Sequence, residues 1–134
     1  MNDDTTKNIE ATENRPTGDR IIDAPQHLVD ISYELSVLKQ EKTWDKNDRN
    51  AITIFKTNQL TIVLVALKAG ASLLPHQVSA IASVQILKGK AEFISEEGQK
   101  ELQENNIVIL HSNELFNITA LEETNILVTI IEEY

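Results

Sequence analysis

A chain of 134 residues, 41% hydrophobic and 25% charged, suits one soluble domain with a single sizeable core. It has no cysteine, which excludes a disulfide framework, thiolate catalysis and a thiolate metal site, and agrees with a reducing cytoplasm. The net charge is −9 and the basic residues are interleaved with acids, as in KQEKTWDKNDR at 39–49, so no nucleic-acid partner is expected.

The chain opens on MNDDTTKNIEATENRPTGDR, which has neither the basic start nor the apolar core of a signal peptide. Residues 1–20 carry too little apolar surface to offset the entropy of ordering, and a flexible tail is expected there. Residues 21–49 follow as an extended arm and one short helix. Ser32 is the expected N-cap, Leu35 and Leu38 lie three apart, and the helix should end near Gln40. Trp44, in the charged stretch EKTWDKNDR, is expected to anchor the arm on the main body or on a partner subunit.

From Asn50 the pattern changes to β-branched runs. Strands are predicted at 51–57, 60–68, 80–88, 91–95, 99–103, 107–111, 114–121 and 125–133, with turn residues every 8–12 positions. That spacing signals an antiparallel sandwich or barrel over residues 50–134. The run IVLVAL at 62–67 should be buried on both faces, and it is too short to span a bilayer. No membrane partner is expected.

One stretch carries a motif. GASLLPHQVSAIASVQILKG at 70–89 places Gly70, His76, Val78, Ala82 and Gly89 at the spacing of the first cupin motif. In that motif a glycine precedes two histidines and a glutamate, and a second glycine closes it. The later stretch ENNIVILHSNELFNITAL at 104–121 puts Asn105, His111, Asn113 and Phe116 at the glycine, proline, glycine and final histidine of the second motif. On these residues the chain resembles the cupin superfamily. The stretches at 17–25, 41–57 and 83–93 are similar to small single-domain bacterial cupins of unassigned function. The resemblance implies an all-β, RmlC-like jelly-roll barrel, a double-stranded β-helix.

It also implies where a ligand would sit. His76, Val78, Ala82 and Phe116 occupy the four metal-ligand positions and so are the candidate cavity residues. Three of the four side chains offer no donor atom, whereas zinc and first-row divalent ions need at least three protein donors. No metal and no cofactor are expected. His76 is then a structural histidine at the barrel mouth, a group that holds a small ligand, or a lone metal ligand. His111 falls at a strand end and should face solvent, as should His27 in the arm. Phe116 should fill the barrel centre or line its cavity.

Other catalytic templates are missing. No nucleophile elbow surrounds Ser72, Ser79 or Ser83, and the four glycines are isolated, so there is no phosphate loop. The reading is a metal-free barrel that binds a small apolar or weakly polar ligand, or serves structurally. The alternative is an enzyme, isomerase- or dioxygenase-like, using His76 with or without a metal shared with His111. A homodimer is expected, paired through 61–68 and 82–88 as unprotected edge strands.

Overall fold

Two antiparallel sheets, packed face to face, account for most of the chain beyond Asn50. The computed structural model describes residues 25–73, 80–112 and 114–132, with the backbone at 8–9 and 20–21. In chain order the elements are β1 (Asn8–Ile9), β2 (Arg20–Ile21), α1 (Ile31–Leu38), α2 (Lys42–Lys46), β3 (Arg49–Lys56) and β4 (Leu60–Leu67). Then come β5 (Ser72–Leu73), β6 (Ala80–Lys88), β7 (Lys90–Ser95), β8 (Gly98–Gln103), β9 (Ile107–Leu110), β10 (Phe116–Ala120) and β11 (Thr124–Glu132). One sheet has the order β3-β4-β11-β6-β9 and the other β5-β10-β7-β8, while β1 and β2 pair by themselves. Every ladder is antiparallel. None of the described helices is long and apolar enough to cross a membrane.

Alternation along the strands builds the core. Val65, Val84, Ile86, Phe93, Ile118 and Ile126 point between the sheets and form one buried cluster. A second cluster lies on the outer side of the five-stranded sheet. There Leu38 of α1 packs on Ile52, Ile54 and Leu64, with Val29, Ile31 and Leu35 alongside. β4 sits between these two layers, so Leu64, Val65, Ala66 and Leu67 are buried in succession, as the unbroken apolar run predicts.

Each predicted strand falls within a few residues of an observed one, the two-residue β1, β2 and β5 have no predicted counterpart, and three further features differ. The N-cap of α1 is Asp30, whose Oδ1 accepts a hydrogen bond from the Tyr33 amide at 3.1 Å. Ile31, Leu35 and Leu38 form the i, i+4, i+7 row that seats the helix, and this row requires a start ahead of Ser32. A second helix, α2, was not predicted, because KTWDK has no apolar period. Its N-cap residue, Glu41, makes no capping bond; instead its carboxylate accepts from Asn50 Nδ2 at 2.8 Å.

The third difference concerns the edges. Residues 61–68 and 82–88 fall mainly in β4 and β6, both interior strands, so neither offers the free edge expected of it. Strand order depends on long-range pairing that local pattern does not encode. Of the expected tail, Asn8–Ile9 is paired with Arg20–Ile21, and the rest of 1–24 lies outside the described residues.

Gly89 links β6 to β7 with φ +101°, and a Cβ there would stand 2.5 Å from the Glu123 carbonyl oxygen. Only glycine lets the β6–β7 turn and the β10–β11 turn approach this closely.

Candidate functional site

Burial shows where the interior opens. Ile86 and Ile126, partnered across β6 and β11, are fully buried. In the next row Val84 is buried, but Val63, Val108 and Val128 are only half-buried, as are Leu73 and Phe116 beside them. The row beyond pairs Ala82 with Ile130 and Leu110, and Ile130 with Thr61. Ala82, Ile130 and Thr61 are half-buried as well. The barrel is therefore filled at one end and thins toward the other.

Ala82 lies two residues before Val84 on β6, so both face the interior. Phe116 begins β10 and stacks on Phe93, with ring centroids 6.1 Å apart and planes at 27°. That places it where the sequence expects it, as apolar bulk within the barrel. His76 and Val78 fall in 74–79, outside the described residues, as does Asn113. His111 is exposed at the end of β9, and Glu114 is exposed near it. Among the described residues no three of His, Asp and Glu are grouped so as to hold a metal ion. The described side chains on the open rows are hydrocarbon apart from the hydroxyls of Thr61, of Thr53 paired with Val63 and of Ser95 paired with Phe116, which sequence reasoning missed. Such a lining can desolvate an apolar ligand, and its polar contacts are limited to neutral hydroxyls.

Two other places hold candidate residues. His27 is exposed, as expected, and meets Phe55 edge to face at 6.2 Å. With Val29, Ile54, Leu60 and Ile62 these residues line a depression of about 290 Å³ outside the barrel. Trp44 on α2 lies half-buried under Lys68, whose ammonium is 4.9 Å from the ring centroid, with that of Lys39 at 5.9 Å. Lys68 directly follows β4, so the indole meets the barrel end.

No family model and no curated protein matches the chain. Solved structures do. A cupin superfamily protein from Desulfitobacterium hafniense superposes with a TM-score of 0.66 at 12% identity, over 84% of this chain and 95% of the other. An RmlC-like cupin from Desulfovibrio desulfuricans gives 0.56 at 20% identity, over 65% and 84%. The chain has the cupin fold. A cupin described as a sugar phosphate isomerase, from Silicibacter pomeroyi, gives 0.56 at 14% identity, over 64% and 60%. At these identities the likeness is one of architecture.

The cupin frame is kept in its turns. Gly70 and Gly89, the two glycines of the first motif, have φ of +89° and +101°. Asn105, at a glycine position of the second, has φ +72°, in the left-handed region that asparagine tolerates. The metal donors of the frame are another matter. Ala82 and Phe116, which the resemblance assigns to two ligand positions, face inward and carry no donor, and the Phe116 ring occupies space beside Phe93. These residues do not fit a cupin metal.

Proposed function

We propose that this cupin is a binding module without chemistry of its own, and that its barrel takes a small, uncharged, apolar or weakly polar ligand without a metal. The observation that carries this reading is the hydrocarbon lining of the thinning end: Val63, Leu73, Ala82, Val108, Phe116 and Val128. Burying apolar ligand surface there contributes about 25 cal/mol per Å². A charged ligand would lose its hydration to a wall whose described polar groups are the neutral hydroxyls of Thr53, Thr61 and Ser95. His76, adjoining this end in sequence, would add one donor or acceptor for a weakly polar group. The likeness to an isomerase, at 14% identity, is one of fold and carries no activity to this chain.

The uncharged fluorophore N-phenyl-1-naphthylamine tests this. Saturable one-to-one enhancement is expected with the wild type and should be lost in Ala82→Phe, which fills the open row. Absent saturation, or equal binding by a folded Ala82→Phe, would sink the reading. Stoichiometric zinc, nickel or iron in elemental analysis of untagged protein would overturn its metal-free part.

We also propose a homodimer, now through β9. The two larger sheets present four edge strands. β8 carries Lys100 and Glu101, β3 carries Arg49 and Lys56, and β5 has only two residues. β9 has no charge and no proline, and its outward side chains Ile107 and Ile109 are 53% and 69% exposed. Charges, prolines and shortness are how sheet edges are protected, so β9 is the edge left open. Antiparallel pairing of β9 with its own copy is isologous and sets Ile107 and Ile109 across the two-fold axis. Light scattering at micromolar concentration should give twice the chain mass, falling to one chain in Ile109→Lys. A monomeric wild type, or a dimeric Ile109→Lys, would rule the interface out.

A further inference from the structure

Two of the three phenylalanines in the chain stand inside the barrel, and only one of them is fully packed. Phe93 is 8% exposed and belongs to the buried cluster, whereas Phe116, at the start of β10, is half-buried. The Phe93 ring lies against one side of Phe116, with centroids 6.1 Å apart and planes at 27°. A buried ring thus backs Phe116 and fixes its plane. Part of this interior-facing ring is left uncovered.

A hydroxyl stands beside it. Ser95 on β7 is the cross-strand partner of Phe116, and it faces inward because it lies two residues beyond Phe93. Directly opposed side chains of an antiparallel pair have Cβ atoms about 5 Å apart. The Ser95 oxygen accepts from the Glu97 amide at 3.2 Å, and the hydroxyl makes no other hydrogen bond among the described residues. Its proton is therefore free to be donated. Across the barrel, Ala82 on β6 contributes only a methyl group. With packed sheets about 10 Å apart, a small side chain facing a fixed ring leaves a slot, which takes a flat group better than a puckered one.

We infer that the ligand of this barrel is a planar aromatic molecule carrying a neutral oxygen acceptor, a ketone or amide carbonyl. This rests on the binding reading proposed above and names its ligand class. The ligand ring stacks on Phe116, and its oxygen accepts the Ser95 proton. Aromatic rings attract one another beyond the area that they bury, so an aromatic ligand gains from Phe116 what an aliphatic one of equal size does not. An acceptor is selected over a donor because the Ser95 oxygen is already engaged by the Glu97 amide. A neutral acceptor is selected over an anion because hydroxyls in an apolar wall do not replace the hydration of a charge.

Acetophenone, cyclohexyl methyl ketone and isopropylbenzene have equal numbers of heavy atoms and differ in the flatness of the ring or in the oxygen. Each is titrated against N-phenyl-1-naphthylamine bound to the full chain. Acetophenone should displace the fluorophore at about fivefold lower concentration than the cyclohexyl ketone, the scale of one aromatic pair. That preference should vanish in Phe116→Leu, which keeps apolar bulk and removes the ring. Phe116→Met serves as the second variant if Phe116→Leu fails to fold. Ser95→Ala should weaken acetophenone about fivefold relative to isopropylbenzene, the scale of one neutral hydrogen bond. Equal displacement by the two ketones, a preference that survives the loss of the ring, or an unchanged ratio in Ser95→Ala would overturn the inference and leave the binding reading standing. Failure of the fluorophore itself to bind would instead remove that reading, and the inference with it.

Discussion

Replacing Asn50 by leucine should destabilise the protein by about 3 kcal/mol, although the two side chains have nearly the same volume. Asn50 is 5% exposed at the start of β3. Its Nδ2 donates to the Leu38 carbonyl at 3.0 Å and to Glu41 Oε1 at 2.8 Å, and its Oδ1 accepts from the Ala51 amide at 3.0 Å. One amide thus ties the last residue of α1, the residue before α2 and the edge strand β3 together. Leucine keeps the packing and removes all three bonds. The bond to the carboxylate of Glu41, itself 8% exposed, accounts for about 1.5–3 kcal/mol. The Leu38 carbonyl, one of the four that a helix end leaves without an intrahelical partner, accounts for about 1 kcal/mol more.

For a domain of this size the loss corresponds to a fall in Tm of roughly 10 °C. Chemical denaturation should give a lower midpoint at an unchanged slope. A shift under about 0.5 kcal/mol would mean that the amide is dispensable. Asn50→Asp supplies the control. It sets a second carboxylate against Glu41 in a buried place, so the folded-state pKa of the pair rises above its unfolded value. The sign follows directly. The variant should be least stable at neutral pH, and should regain stability as the pH falls through the raised pKa and one carboxyl takes up a proton.

Asn50 and Glu41 also show where sequence reading stops. The β-branched runs and turn residues beyond Asn50 mark the strands closely, because side-chain alternation and turn chemistry are local. The cupin spacing could be found for the same reason: Gly70, Gly89 and Asn105 mark backbone turns that few residues can make. A buried amide joining Leu38, Glu41 and Ala51 leaves no trace in composition or period. The same holds for α2 and for the position of β4 and β6 inside their sheet. Of the candidate cavity residues, Ala82 and Phe116 stand on inward-facing positions, while His76 and Val78 lie outside the described residues. What the sequence could not reveal is the burial gradient along the barrel, since it emerges only when both sheets are assembled.

The same frame predicts a gain of function. With His76 already in place, the triple change Val78→His, Ala82→Glu and Phe116→His should create a four-donor site and confer one-to-one zinc or nickel binding. Ala82 on β6 and Phe116 on β10 face the same interior from opposite sheets, as two ligands of one ion must. Three neutral imidazoles and a carboxylate suit both metals. Without metal the variant should be weaker than the wild type by several kcal/mol. It loses the Phe93–Phe116 stack and puts a carboxyl among apolar side chains, which raises that carboxyl's pKa. Metal should then restore stability, by about 2.7 kcal/mol at a hundredfold excess over Kd, so thermal unfolding with and without zinc reads the site directly. Because imidazole must be neutral to ligate, binding should fade below about pH 6. The wild type under identical conditions should show no stoichiometric metal and no shift. A triple variant that folds yet binds neither zinc nor nickel would show that these side chains do not converge, and the placement of the two motifs would then be wrong.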